Sequence, residues 1–165
     1  MARKAKTGTE ALTQLGQATV LPASPEAAVL ETARGGIVRR SLGYDWSDVG
    51  VLTNVTADHI GQDGIETVED LVDAKMPVAE RVREGGTIVL NADDPSLVKL
   101  PGRRHIEPDR KRIVYFSLDA DNLVVRQHLA AGGTAYWAAG GWLVEGMGCA
   151  ARRIARRWKN ARSAK

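Results

Sequence analysis

Directly after the apolar pair Val51-Leu52, the chain sets Thr53, Asn54, Thr56, Asp58 and His59 in close succession. A second polar group, Asn91, Asp93 and Asp94 in "NADDP", follows the apolar run "TIVL". A third, Glu31, ends the short run "AAVLE" at 27–31. Carboxylates, an imidazole and further oxygens suit a divalent cation bound together with substrate phosphates. Each group also has a plainer reading. Glu31 could be a solvated strand end, Asp58-His59 could cap a turn, and "NADDP" is a good turn sequence in its own right. All three, however, follow strand-like runs, and parallel strands deliver their carboxyl ends to one edge, where ligands bind.

The elements that would position these groups begin near residue 27. "AAVLE" (27–31) reads as a buried strand, "DVGVLTNV" (48–55) as a second, "TIVLNADDP" (87–95) as a third running into a turn, and "RIVYFS" (112–117) as a fourth. "TVEDLVDAKMPVAERVREGG" (67–86) reads as a helix, with Thr67 as N-cap, Glu69 and Asp70 in the first turn and Gly85 as its stop. On that helix Leu71, Lys75, Ala79 and Val82 share a stripe, so Lys75 either snorkels to the rim or serves a site, while Pro77 disturbs the phase. Apolar strands that do not alternate, with a helix between two of them, predict an α/β fold with a parallel sheet covered on both faces. "GTAYWAAGGWLVEG" (133–146) carries Gly140-Gly141 between two apolar runs and predicts a β-hairpin.

With 165 residues the chain can build one domain core, and its apolar fraction of 44% is ordinary for a globular protein. It contains no apolar run of the roughly 18 residues that would span a membrane. The start of the chain shows no secretory signal, and a single cysteine, Cys149, excludes an internal disulfide. A cytoplasmic protein with no membrane contact is the expectation. The net charge of +3 is unevenly placed. Residues 149–165 carry Arg152, Arg153, Arg156, Arg157, Lys159, Arg162 and Lys165 without an acid, and the body between the two ends is acidic. Nucleic-acid binding by the whole domain is therefore not expected.

The run "VLETARGGIVRRSLGYDWSDVGVLTNVTADHIGQDGIETVEDL", with "NADDP" and the hairpin ending "GWLVEG", resembles cyanophycin synthetases in their part similar to the Mur ligase central domain. "ETARGGI" is particular to that family, whereas "TNVTADH" and "NADDP" are shared with the wider Mur and folylpolyglutamate ligases. The resemblance covers residues 25–146. It implies a three-layer, mostly parallel sheet and an ATP-dependent ligase that phosphorylates a carboxylate for attack by an amine. In cyanophycin synthesis this half adds arginine to the β-carboxyl of aspartate. By the resemblance, Glu31 and His59 are magnesium ligands, and Asp58 orients the His59 ring. Asn91 contacts adenine, Asp94 shapes the turn, and Asn54 belongs to the same nucleotide site. Lys75 lies where several Mur-type ligases place a carbamoylated catalytic lysine that helps hold magnesium. The implied cofactors are ATP and Mg2+, and the implied partners are a nucleotide and an amino-acid or peptide substrate.

The phosphate loop of that family, of the form G-x-x-x-x-G-K-[ST], does not occur in this sequence. "AKTGTEAL" near the start is at best an echo of it. Residues 1–24 read as an N-terminal appendage, 25–146 as a partial central domain, and 147–165 as a basic tail. Ala150, Ala151, Ile154, Ala155 and Trp158 recur in that tail at helical spacing. The tail could contact nucleic acid, or it could be out-of-frame text; the second is favoured because the resemblance stops just before it. The whole reads as a fragment of such a ligase, inactive alone. A non-catalytic role docked on an intact synthetase is the main alternative, and an incomplete sheet predicts self-association.

Overall fold

The computed structural model describes residues 28–32, 42–56, 61 and 64–156. Strand β1 (Ser47–Leu52) leads through helix α1 (Val68–Lys75) and the single turn α2 (Pro77–Glu80) to strand β2 (Val82–Asn91). Helix α3 (Pro95–Val98) and a 3-10 turn (Leu100–Gly102) lead on to strand β3 (Arg112–Ser117). Helix α4 (Leu123–Ala130) then precedes strands β4 (Thr134–Ala139), β5 (Trp142–Met147) and β6 (Ala150–Arg156). The six strands form one sheet in chain order. β1 to β4 pair in parallel, and β5 and β6 add antiparallel. This is the expected α/β fold, with a mostly parallel sheet and the hairpin at Gly140-Gly141. Both glycines have positive φ, 55° and 77°, which suits a tight two-residue hairpin turn.

The order of the strands determines where the core lies. Parallel neighbours that always step in one direction, joined by crossovers of one hand, receive all their helices on the same face. Val72 of α1, Ala79 of α2, Leu97 of α3 and Val125 of α4 accordingly join one buried cluster with Leu52, Ile88, Leu90, Tyr115 and Ala135 from the sheet. In β1 the buried positions Gly50 and Leu52 alternate with Val49 and Val51, which are 53% and 51% exposed on the other face. Among the described residues the sheet thus has one helical layer. A Cβ on Gly50 would lie 2.5 Å from the Val78 carbonyl oxygen, so β1 can approach α2 only with glycine there.

The helix expected over 67–86 begins as predicted and ends early. Thr67 accepts from the Asp70 N–H (3.1 Å), and the Asp70 carboxylate accepts from the Thr67 N–H (2.8 Å), closing a capping box. Pro77 interrupts the run at Met76 and restarts it for one turn. Lys111 donates to the carbonyls of Ala79 (3.3 Å) and Glu80 (2.9 Å), satisfying the end of that turn. Gly85 is not a helix stop. With φ of 75° it belongs to the irregular start of β2, where pairing jumps from Ser47–Val82 to Val49–Thr87, and its N–H donates to Arg110. Helix α4, not anticipated from the sequence, is capped by Asn122, whose Oδ1 accepts from Val124 and Val125 N–H (2.9 and 3.2 Å).

Two further expectations need correction. Residues 28–32 form no strand: Val29 is 86% exposed, and β1 meets no strand on its outer edge among the described residues. An apolar run becomes a strand only where a neighbour accepts its backbone bonds. The basic tail is not helical over its described part. Ala150–Arg156 is strand β6, paired in antiparallel register with β5. Arg152 Nε donates to Glu145 Oε2 (2.5 Å) across the pair, and Arg153 lies over the Trp142 ring (5.1 Å). No helix among the described residues is long and apolar enough to cross a membrane.

The capping box makes Thr67→Ala a sensitive probe: it should cost about 1 kcal/mol, read as a lower urea midpoint with an unchanged slope. A second measurement concerns Glu145. The Tyr136 hydroxyl donates to it (2.7 Å), and this bond, with Arg152, holds its carboxyl below the usual glutamate range. A carboxylate with a depressed folded-state pKa stabilises the fold above its unfolded pKa and loses that contribution as pH falls through the folded one. The same bond pushes Tyr136 up, so the contribution ends again at alkaline pH. Tyr136→Phe should therefore lower the melting temperature at neutral pH and change it little near pH 3. An equal loss at both values would contradict the assignment.

Candidate functional site

In the parallel part of the sheet Leu52 pairs with Leu90, and Asn91 pairs with Phe116. The segments that leave β1, β2 and β3 therefore start side by side at one edge. Hydrophobic register places them there, because Leu52 and Leu90 must both reach the helical core. At that edge each strand gives way to polar residues: Thr53 and Asn54 after β1, Asp93 and Asp94 after β2, Asp119 after β3.

Four of the residues singled out from the sequence meet at this edge. Asn91 Nδ2 donates to the Thr53 carbonyl (2.8 Å), while its Oδ1 accepts from the Asp93 N–H (2.9 Å). Lys75, in the last turn of α1, donates from Nζ to the Asn54 carbonyl (2.7 Å). Asp94 Oδ2 accepts from the Val55 N–H (2.6 Å), and Oδ1 accepts from the Ser96 N–H (2.9 Å), capping α3. Three side chains from two elements and a turn thus engage three consecutive residues of the loop after β1. Asp94 is 9% exposed. The Asn54 side chain is exposed, and only its carbonyl takes part in this set of bonds.

The remaining expected ligands are not brought in. Glu31 is an exposed residue of the irregular segment 28–32, and Thr32 beside it bonds the Tyr44 hydroxyl, whose pKa burial pushes up. His59 and Asp58 lie outside the described residues. Among the described residues no three of His, Cys, Asp or Glu cluster as a metal site would require. The structure adds a group that sequence reasoning missed. Asp93 accepts from Ser117 Oγ (2.5 Å), Leu118 N–H (2.8 Å) and Asn122 Nδ2 (3.1 Å), tying the end of β3 and the start of α4 to the same turn. The available signal was a serine closing the apolar run of β3, an unusual residue to bury, and here it is 3% exposed.

This donor set suits an anionic ligand better than a bare cation. Asp93 and Asp94 both direct their oxygens at protein donors, whereas Lys75 brings a positive charge to the loop after β1. Hydrated Mg2+ keeps most of its waters and needs only one or two protein ligands beside phosphate oxygens, which is compatible with so sparse a set.

The relatives of this chain agree with that geometry. It matches the Mur ligase middle domain family over residues 3–136, a span that includes most of the segment read as an appendage. It is 44% identical over 110 residues to the cyanophycin synthetases of Synechocystis sp. and of Trichormus variabilis, covering 67% of this chain and 12% of each relative. It is also 30% identical over 132 residues to a UDP-N-acetylmuramoyl-L-alanyl-D-glutamate–2,6-diaminopimelate ligase of Chlamydia pneumoniae, covering 79% of this chain and 26% of that one. The chain thus spans about an eighth of the length of the synthetases it matches. A family match over most of the chain, on a mostly parallel sheet whose polar groups collect at one edge, identifies it as a member of the Mur ligase middle domain family.

Proposed function

We propose that this chain carries part of the nucleotide site of an ATP-dependent ligase resembling cyanophycin synthetase, and that it does not turn over unaided. The observation that supports this reading is the convergence of Lys75, Asn91 and Asp94 on residues 53–55, at the edge where a parallel sheet binds phosphates. In the proposed reaction a carboxylate oxygen attacks the γ-phosphorus of ATP and ADP leaves. An amine, the α-amino group of arginine, then attacks the acyl carbon and phosphate leaves. Bound MgATP supplies the phosphoryl group. Lys75 provides positive charge near the phosphates, the polar ends of β1 and β2 shape the pocket, and His59 with Glu31 would hold the metal. The substrates would be the nucleotide and an amino acid or peptide acceptor.

Inactivity alone follows from the missing phosphate-loop sequence. Backbone amides and a lysine aimed at the transferring group stabilise charge that develops only in the transition state, and losing one such donor commonly costs about 10²–10³ in rate. Tail-mediated nucleic-acid binding draws less support, because Arg152 and Arg153 are engaged by Glu145 and Trp142 within the sheet. Docking on an intact synthetase draws some from β1, an edge strand with half-exposed valines.

Calorimetry on the purified chain should register MgATP binding that weakens in Lys75→Met and His59→Ala. ADP release in the presence of arginine should stay at background. Arginine-dependent ADP release abolished by His59→Ala would show the chain to be catalytically sufficient, and no nucleotide binding at all would remove the nucleotide site.

A further inference from the structure

We propose that Asn91 and Asp94 act on the site as positioning residues, setting the course on which the chain leaves β1 instead of touching the ligand themselves. The proposal rests on the nucleotide-site reading for its functional consequence, but its geometry stands alone. Asn91 and Asp94 occupy the turn that ends β2, and both reach across to the neighbouring strand's exit. Asn91 takes the Thr53 carbonyl (2.8 Å), and Asp94 takes the Val55 N–H (2.6 Å). A backbone acceptor and a backbone donor two residues apart are thereby fixed from one side, while Lys75 fixes the Asn54 carbonyl between them (2.7 Å).

The same turn is held from its other side. Asp93, between the two, reaches the opposite way to Ser117, Leu118 and Asn122. The Asn91–Asp94 turn is thus a bracket linking the exits of β1 and β3, with its side chains divided between the two. Asp94 also caps α3, so the bracket is anchored on a helix end. A loop left to itself samples many backbone states, and fixing each residue costs about 1–2 kcal/mol. Bonds supplied by a pre-formed turn meet that cost before any ligand arrives. The residues immediately beyond Thr56 include Asp58 and His59, so what is set at 53–55 fixes the origin of the segment that carries them.

The test separates Asp94's two bonds. Asp94→Ser keeps a helix-capping oxygen but is too short to reach Val55. Asn91→Ala removes the Thr53 bond without touching the cap. In both variants the Val55 amide should exchange with solvent at least about tenfold faster, with Ser96 still protected in Asp94→Ser. MgATP affinity should fall by about tenfold, while affinity for metal-free ATP stays at the wild-type value. A residue that contacts the nucleotide directly would instead lose both affinities together, and that result overturns the proposal. An unchanged Val55 amide overturns it as well. If wild type binds no MgATP, the nucleotide-site reading fails, and the contrast between the Val55 and Ser96 amides alone decides the positioning role.

Discussion

Parallel pairing from β1 through β4 is the constraint on which everything else in this chain depends. Parallel strands cannot be joined by a tight turn, so each must be followed by a connection long enough to return to the starting edge. Here those connections are the helices, and because the strands step across the sheet in chain order, every helix falls on one face. The opposite consequence concerns the ends. Every strand from β1 to β3 finishes at the same edge, and each connection begins there with backbone groups that the sheet no longer satisfies. Polar side chains at that edge are a structural necessity before they are a functional opportunity.

That necessity explains why the residues most suggestive of chemistry are engaged with backbone. Asn91, Asp94 and Lys75 complete the bonds of residues 53–55, and Asp93 completes those of the β3 exit. A site for phosphates gains from this arrangement, because preorganised groups need not reorganise when charge arrives. Asp94, at 9% exposed, is more useful as a fixed acceptor for two N–H groups than as a metal ligand. The feature of chemical interest that these bonds create is the direction of the loop itself, and the bracket beside it sets that direction.

Much of this was legible in the residues. The β3 run was readable with its bounds, 112–117, because a short apolar segment between turn residues has few alternatives. The Thr67 cap and the Gly140-Gly141 turn were readable because each rests on local chemistry. What failed did so where the outcome depends on a distant partner. "AAVLE" has the composition of a strand, yet 28–32 has no neighbour strand among the described residues. "VREGG" continued a helical stripe on paper, but Pro77 and the pull of β1 turned it into the irregular start of β2. At the site, the right residues were named for partly different reasons. Spacing showed that Asn91, Asp94 and Lys75 would gather; it carried no information on whether they would face ligand or backbone.

The tail shows the same limit and gives the sheet its asymmetry. Ala150, Ala151, Ile154 and Ala155 fit a helical period as well as a broken alternation, and the irregular register between Leu143 and Val144 is what lets the segment pair as β6. Once paired, its charges acquire partners: Arg152 on Glu145, which Tyr136 also holds, and Arg153 over Trp142. Charged side chains along an edge strand oppose the addition of another chain, so β6 closes its side of the sheet. β1 has no comparable protection. Apart from Asp48, which pairs with Arg83, its outward face presents Val49 and Val51, both about half exposed. The sheet is therefore finished at its basic edge and open at its apolar one, and the open edge is the one beside the loop that the Asn91–Asp94 bracket holds in place.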